Sequence, residues 1–165
     1  MGGRLPSAWT AAWQLLAFLL IEDTAFYWVH RLLHHRLLYR HIHKVHHTFR
    51  TPIGVAAEYT HPLEWLVANS GLFLAGPVLC GLACGGVHLA TMWLWLLVRL
   101  TEAVEGHSGY AFPWSPYGIW PGRPSAAEHD WHHSKNVGNF GSFFVWWARY
   151  SSVTPFLCSE RGRLD

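Results

Sequence analysis

Three groups of histidines carry the chemistry open to this sequence: His30, His34 and His35 spaced HxxxHH, His43, His46 and His47 spaced HxxHH, and His129, His132 and His133 in a second HxxHH. Seven of the thirteen histidines fall between His30 and His47. On a helix, residues three and four apart share one face, so each HxxHH run can turn several imidazoles toward one metal ion or toward two neighbouring ones. A single histidine near a membrane surface is an ordinary polar group, whereas three packed sets would repel one another on protonation and gain little as core. Shared metal binding accounts for them. No cysteine lies among the nine, which argues against structural zinc and iron-sulfur clusters, while imidazole alone leaves zinc, copper, iron and nickel open. Nine ligands exceed one closed four-coordinate site and point to two metals. A haem held by paired histidines fits less well, because the histidines are too many and partly adjacent.

The elements that position these groups read as membrane helices. The 165 residues are 51% hydrophobic and 16% aromatic but only 13% charged, and the net charge of +2 has no basic tail behind it, which argues against a nucleic-acid partner. Apolar residues from Ala8 to Val29, interrupted by Glu22 and Asp23, make a first, uncleaved helix about one bilayer thick. From Trp65 to Val98 there is no Asp, Glu, Lys or Arg, a stretch too long for one crossing. It reads as a hairpin of two helices, Pro62 to Cys80 and Val87 to Glu105, broken in the glycine-rich stretch Gly76 to Gly86 that includes Pro77. Arg31, Arg36, Arg40, Lys44 and Arg50 precede the hairpin and Arg123, Lys135, Arg149, Arg161 and Arg163 follow it, so both flanks are expected on the cytosolic side. The hairpin thereby returns the third histidine group to the first two.

A proline-rich loop after Tyr110, a helix from Ala126 to Ser134 and a short interfacial helix within Phe143 to Tyr150 complete the chain. The expected fold is all-α: one domain over residues 1–165, an integral membrane bundle of about three transmembrane helices with a cytosolic, histidine-rich helical cap holding a dimetal site. Cys80, Cys84 and Cys158 offer neither a disulfide framework nor a paired metal site. Carboxylates in apolar helices are costly and usually functional, and Asp23 shares a helix face with His30 and His34. Asp23, Glu22, Glu58, Glu102 and Glu105 are therefore candidates for orienting the imidazoles. Trp93, Trp95, Phe112 and Trp114 are candidates for an apolar substrate entrance, His41 for a surface position and His88 for the hairpin turn.

The stretches from Ile21 to Phe49, PIGVAAEYTHPLEWL, TEAVEGHSGYAFPWSP and EHDWHHSKNVGNFGSFFVWW resemble the fatty acid hydroxylase superfamily, and within it most closely the C-4 methylsterol oxidases. The likeness covers roughly Ile21 to Arg149, with three histidine boxes in order and HPLE and HSGY between them. It implies an endoplasmic-reticulum membrane enzyme with two non-haem iron ions facing the cytosol, oxidising a C-H bond of a lipid with O2. It also implies electrons from NAD(P)H through cytochrome b5 and its reductase, as separate proteins, since no cytochrome b5 signature is fused here. The nine box histidines, together with His61 of HPLE and His107 of HSGY, match the family's histidines near the metals. The substrate implied is a sterol precursor; a fatty acyl chain, a sphingolipid or another lipid, or a non-catalytic relative that keeps the metal site, are the alternatives. Ala111 follows HSGY where the methylsterol oxidases carry Asp, Ala148 stands where the family pattern has Asp, and an N-terminal membrane segment of the family is expected to be missing.

Overall fold

The computed structural model describes residues 3–119 and 124–151. Cys158, Arg123, Arg161 and Arg163 lie outside the described residues. Helix α1 runs unbroken over Ala8–Leu33, with the Ser7 hydroxyl accepting the Thr10 N-H at its start. It extends past Val29, where the apolar run ends, so that His30 sits in its last turn and His34 caps it. A short α2, Arg36–Tyr39, leads into two 3-10 helices, His43–Thr48 and Gly54–Glu58.

Helix α3 spans Pro62–Cys84. It begins as one α turn with Pro62 at the position where a missing N-H costs nothing, widens into a π-helix over Trp65–Gly71 and continues as an α-helix over Leu72–Cys84. Helices α4, Leu89–Gly106, α5, Ala126–Lys135, and α6, Trp146–Tyr150, follow, and no strand occurs among the described residues. Ser125 and Glu128 form a reciprocal capping box that fixes where α5 starts.

The hairpin breaks later than its composition suggests. Pro77 stays inside α3 although it cannot donate to the carbonyl of Phe73; Trp95 Nε1 of α4 donates to that carbonyl instead, at 3.0 Å. The turn is confined to Gly85 and Gly86, whose φ of 78° and 132° suit glycine, and His88 then caps α4 by accepting the Ala90 N-H. His88 thus holds the turn position its sequence context indicates, and His41 is exposed.

Helix α1 packs tightly on α3 at Gly76, where an added Cβ would come within 2.6 Å of Phe18 Cα. Phe18, Cys80, Trp95 and Phe143 make the core between α1, α3, α4 and the segment before α6. Trp95 is therefore fully buried packing, with Phe18 edge-on to it, and not an entrance residue. Arg99 on α4 clamps α1 from the other side, its Nε 2.7 Å from Glu22 Oε1 and its Nη1 3.1 Å from Glu102 Oε2. Among the described helices only α3 combines the length and hydropathy of a membrane crossing; α1 and α4 carry these inward charges.

The close approach at Gly76 is testable. Gly76→Ala is expected to push α1 from α3 and lower stability by about 1–3 kcal/mol. Gly81→Ala, whose Cβ meets nothing nearer than 4.0 Å, is expected to stay within about 0.5 kcal/mol of wild type. Thermal unfolding in detergent compares them, and equal shifts would contradict the packing described.

Candidate metal centre

Four segments bring nine imidazoles together, and the two sets they form cut across the sequence runs. The ligand nitrogens of His30, His34, His43, His47 and His132 lie within 4.8 Å of one another, as do those of His46, His107, His129 and His133. Each HxxHH run is divided: on the 3-10 turn His43 and His47 join the first set and His46 the second, while on α5 His132 joins the first and His129 and His133 the second. One shared face for each run, as ideal α-helical spacing suggests, is thus replaced by a wedge between two centres. His107 joins as the C-cap of α4.

Hydrogen bonds fix which nitrogen of each ring faces inward. His30 Nδ1 donates to Phe140 O at 3.1 Å, His132 Nδ1 to Gly138 O at 2.7 Å, His107 Nδ1 to Ala103 O at 2.8 Å and His133 Nδ1 to Phe49 O at 3.1 Å. His46 Nδ1 reaches Tyr59 O at 3.4 Å. A carbonyl can only accept, so these rings carry their proton on Nδ1 and a bare lone pair on Nε2. Those Nε2 atoms nevertheless face one another, with His132 3.2 Å from His30 and His107 3.3 Å from His46. His129 Nε2 closes the second set at 2.9 Å from His107 and 3.2 Å from His133. Lone pairs at such separations repel unless a cation lies among them.

The donor set fits metal ions. Nitrogens bound about 2.1 Å from one ion lie roughly 3.0 Å apart when they meet it at right angles and roughly 3.4 Å apart in a tetrahedron. The spacings here are 3.2 and 3.3 Å across the two lone-pair contacts and 2.9 Å at the closest; the set of five exceeds the four ligands of a closed tetrahedral zinc site, and the set of four equals them. His34 Nε2 is also buried without a hydrogen-bond partner, as expected of a waiting ligand.

Electrostatics agree. Burial, then the neighbouring His133 and His34, lowers the pKa of His47 from 6.5 to about 3. Burial lowers His133 to about 4 against the opposing hydrogen bond to Phe49, and burial followed by the surrounding imidazoles pulls His43, His46, His107, His129 and His132 down as well. Neutral imidazole is the form a metal binds.

Two of the eleven histidines expected near the metals belong to neither set. His35 Nδ1 accepts the Leu37 N-H at the start of α2, and His61 Nδ1 accepts the Leu63 N-H at the start of α3. Both act as helix caps, a use open to any polar side chain before a helix. The expected carboxylates are placed variously. Asp23 Oδ1 accepts the N-H groups of Phe143 and Phe144, holding the loop whose carbonyls orient His30 and His132. Glu22 and Glu102 hold Arg99, Glu58 accepts from Trp65 and Asn69, and Glu105 accepts from Ser115.

The carboxylate that touches an imidazole directly is one the sequence reasoning missed, Glu64, whose Oε1 lies 2.7 Å from His43 Nδ1. Its signal is the acid of HPLE, three residues after His61 and in the first turn of α3.

A cavity of about 390 Å³ opens beside both sets, reached by His30, His43, His46, His107 and His129. Phe26, Phe73, Leu74, Leu96 and Leu100 make its apolar wall, and the π-helix contributes Trp65, Ala68 and Asn69, in keeping with the frequency of such segments at functional sites. Trp93, Trp95, Phe112 and Trp114 do not line it.

Paired all-imidazole sets at the ends of packed helices, beside one apolar cavity, define a helical protein with two histidine clusters able to bind metal. The family model for fatty acid hydroxylase matches residues 15–152, and the chain belongs to that family. It is 44% identical over 142 residues to a methylsterol monooxygenase of Aspergillus fumigatus, covering 86% of this chain and 48% of that protein. It is 42% identical over 146 residues to methylsterol monooxygenase 1 of Rattus norvegicus, covering 88% and 48%. A very-long-chain aldehyde decarbonylase of Oryza sativa subsp. japonica is 43% identical over 145 residues, covering 86% and 52%. The chain spans about half the length of the curated relatives it matches. No solved structure matches it.

Two outcomes follow from the geometry. Glu64→Ala is expected to weaken metal binding about 10- to 100-fold, His132→Ala to empty the first set, and His35→Ala to leave metal content unchanged, as read by elemental analysis; loss of metal in His35→Ala would contradict the sorting. Acid is expected to destabilise the metal-free protein. The folded chain keeps His47 and His133 neutral down to about 3 and 4 while the unfolded chain protonates near 6.5, so the unfolded state binds more protons between those limits. Stability is full above pH 6.5 and falls as the pH drops toward 4, which denaturation midpoints across that range measure.

Proposed function

We propose that this chain, as one domain, is the metal-holding part of an O2-dependent, non-haem di-iron lipid monooxygenase that oxidises a C-4 methyl group of a sterol precursor. The observation that carries the reading is the pair of inward-facing Nε2 sets beside an apolar cavity. The names of the fungal and rat relatives support the substrate. His30, His34, His43, His47 and His132 would hold one iron and His46, His107, His129 and His133 the other.

Bound there, the irons supply activation of O2 and attack on an inert C-H bond. The rest falls to the chain. Backbone carbonyls keep the Nδ1 of His30, His46, His107, His132 and His133 protonated and their Nε2 aimed inward, and Glu64 does the same for His43. Phe26, Phe73, Leu96 and Leu100 exclude water and hold the hydrophobic body of the lipid. Asp23 locks the loop that sets two of the rings.

In this proposal α1, α3 and α4 cross the endoplasmic-reticulum membrane, with the metal end in the cytosol beside Arg31, Arg36, Arg40 and Lys44. Outward Leu16, Leu20, Val78, Leu82 and Leu97 support contact with lipid. Electrons arrive from NAD(P)H through cytochrome b5 and its reductase. Ala148, where the family pattern carries Asp, is 1% exposed and packs in a cluster with Tyr27 and Phe140. A fatty substrate is the second reading, favoured by the rice relative's name.

Purified, iron-loaded protein with cytochrome b5 and its reductase is expected to bind one metal in each set and to give an O2-dependent product from a C-4-methylated sterol, lost in His132→Ala. Fewer than two metals per chain, with no product from that sterol or from a fatty lipid, would sink the proposal.

A further inference from the structure

The first histidine set has an outer face away from the cavity. His30 and His43 of that set reach the cavity, whereas His34 and His47 do not. Their rings meet Tyr39 instead, whose ring centre lies 5.5 Å from that of His34, 5.8 Å from that of His47 and 6.2 Å from that of His43. Tyr39 is half-buried at the end of α2, and its hydroxyl donates to Asn136 Oδ1 at 3.0 Å, which ties the ring to the residue that caps α5. One partly exposed aromatic ring thus joins solvent to three ligand imidazoles.

Cations surround that ring. Arg36 opens α2 and Arg40 caps it, Lys135 precedes Asn136, and Arg50 is close enough for its charge to act on the phenol against the upward push of burial. All four are exposed, and none of them forms an ion pair among the described residues. From Thr24 to Ala57 the chain carries no Asp or Glu at all. A field of one sign around an exposed edge attracts an acidic surface and speeds its approach. An anionic bilayer is one such surface, but it has no use for an aromatic ring laid against metal ligands; a protein that passes electrons does.

We propose that this face is the docking site of an acidic one-electron carrier protein, and that Tyr39 is the point at which its electrons enter the first metal set. This rests on the reading of the chain as an oxidase supplied with electrons by a separate protein, and adds where they arrive. Each docking oxidises the carrier by one electron and reduces one metal ion by one, with no bond made or broken and no proton moved at Tyr39. Two dockings in turn supply both electrons. The lipid and the carrier use different faces of the same histidines, so a filled cavity does not block reduction.

The test uses the iron-loaded protein in phosphatidylcholine nanodiscs, with the soluble haem domain of cytochrome b5 as acidic probe and cytochrome c as cationic probe. Saturable binding of the acidic probe is expected, weakened at least about 10-fold as salt rises from about 50 to about 300 mM, with no binding of the cationic one. Arg36→Glu combined with Arg40→Glu, and separately Lys135→Glu, are expected to weaken it about 10-fold or more. Arg4→Glu, which reverses an exposed cation before the start of α1, is expected to leave it unchanged. Tyr39→Leu is expected to hold docking within about twofold of wild type and to slow electron transfer at least about 10-fold, followed without oxygen as loss of the ferrous haem absorbance. Tyr39→Phe keeps the ring and is expected to restore the rate. Elemental analysis confirms that metal is retained, and Tyr39→Met takes the place of Tyr39→Leu if that variant loses it.

Binding indifferent to Arg36, Arg40 and Lys135 would overturn the docking face, as would capture of phosphatidylserine vesicles in place of the acidic probe. An unslowed rate in the metal-retaining Tyr39→Leu or Tyr39→Met would remove the entry point. Electron transfer that obeys these dependences while no lipid is oxidised leaves the docking face standing and fells the oxidase reading. Oxidised lipid with indifferent charge variants does the reverse.

Discussion

The arrangement turns on keeping nine imidazoles, seven of them buried, neutral and aimed. Each ring has two nitrogens, and placing one lone pair at a shared centre requires that the other nitrogen find an acceptor outside it. The fold supplies those acceptors mostly from backbone that ordinary secondary structure leaves over: Phe49 O and Tyr59 O from irregular segments, Gly138 O and Phe140 O from a loop, and Ala103 O from the last turn of α4. His43 uses a side chain, Glu64, and His47 Nδ1 is buried without a partner. Helix ends and loops are where unpaired carbonyls exist, and this is why the imidazoles gather at the end of the bundle.

The loop from Asn136 to Val145 is the keystone of that scheme. Its carbonyls at Gly138 and Phe140 orient one ring from α5 and one from α1, and Asn139 ties it back to Glu128 O. Positive φ at Asn136, Gly138 and Asn139 curls it tightly, and at Gly141 a Cβ would meet Phe144 O at 2.3 Å. Asp23, fully buried inside α1, closes the curl by accepting two of its N-H groups. A carboxylate placed that deep is explained by what it holds, since two charge-assisted bonds offset part of its desolvation.

Much of this was legible in residue spacing. The three boxes name all the ligand-facing histidines but His107, which HSGY supplies, and the uncharged block from Trp65 to Val98 gives the hairpin that joins them. The division of each HxxHH run was not legible, because it depends on the 3-10 winding of His43–Thr48 and on α5 lying between two centres. Nor was the persistence of α3 through Pro77, which needs Trp95 from another helix to replace the lost donor. His35 and His61 look like ligands by type and neighbourhood, and only geometry shows them capping helices. Local patterns report which groups are available; pairings between distant segments decide how they are used.

Splitting each run between two centres has a structural consequence of its own. If every box served one metal, the two sites could form independently, each from a short segment. Here the first set draws on α1, the 3-10 turn and α5, and the second on the 3-10 turn, α4 and α5. Two segments are thus common to both, so a cation in either set would order the 3-10 turn and α5 for the other. The inward nitrogens of the two sets lie 2.9 to 3.3 Å apart, a spacing at which a shared cation would stabilise both members of a pair. Metal binding and folding at this end of the bundle would for that reason be one process, shared by the two sites.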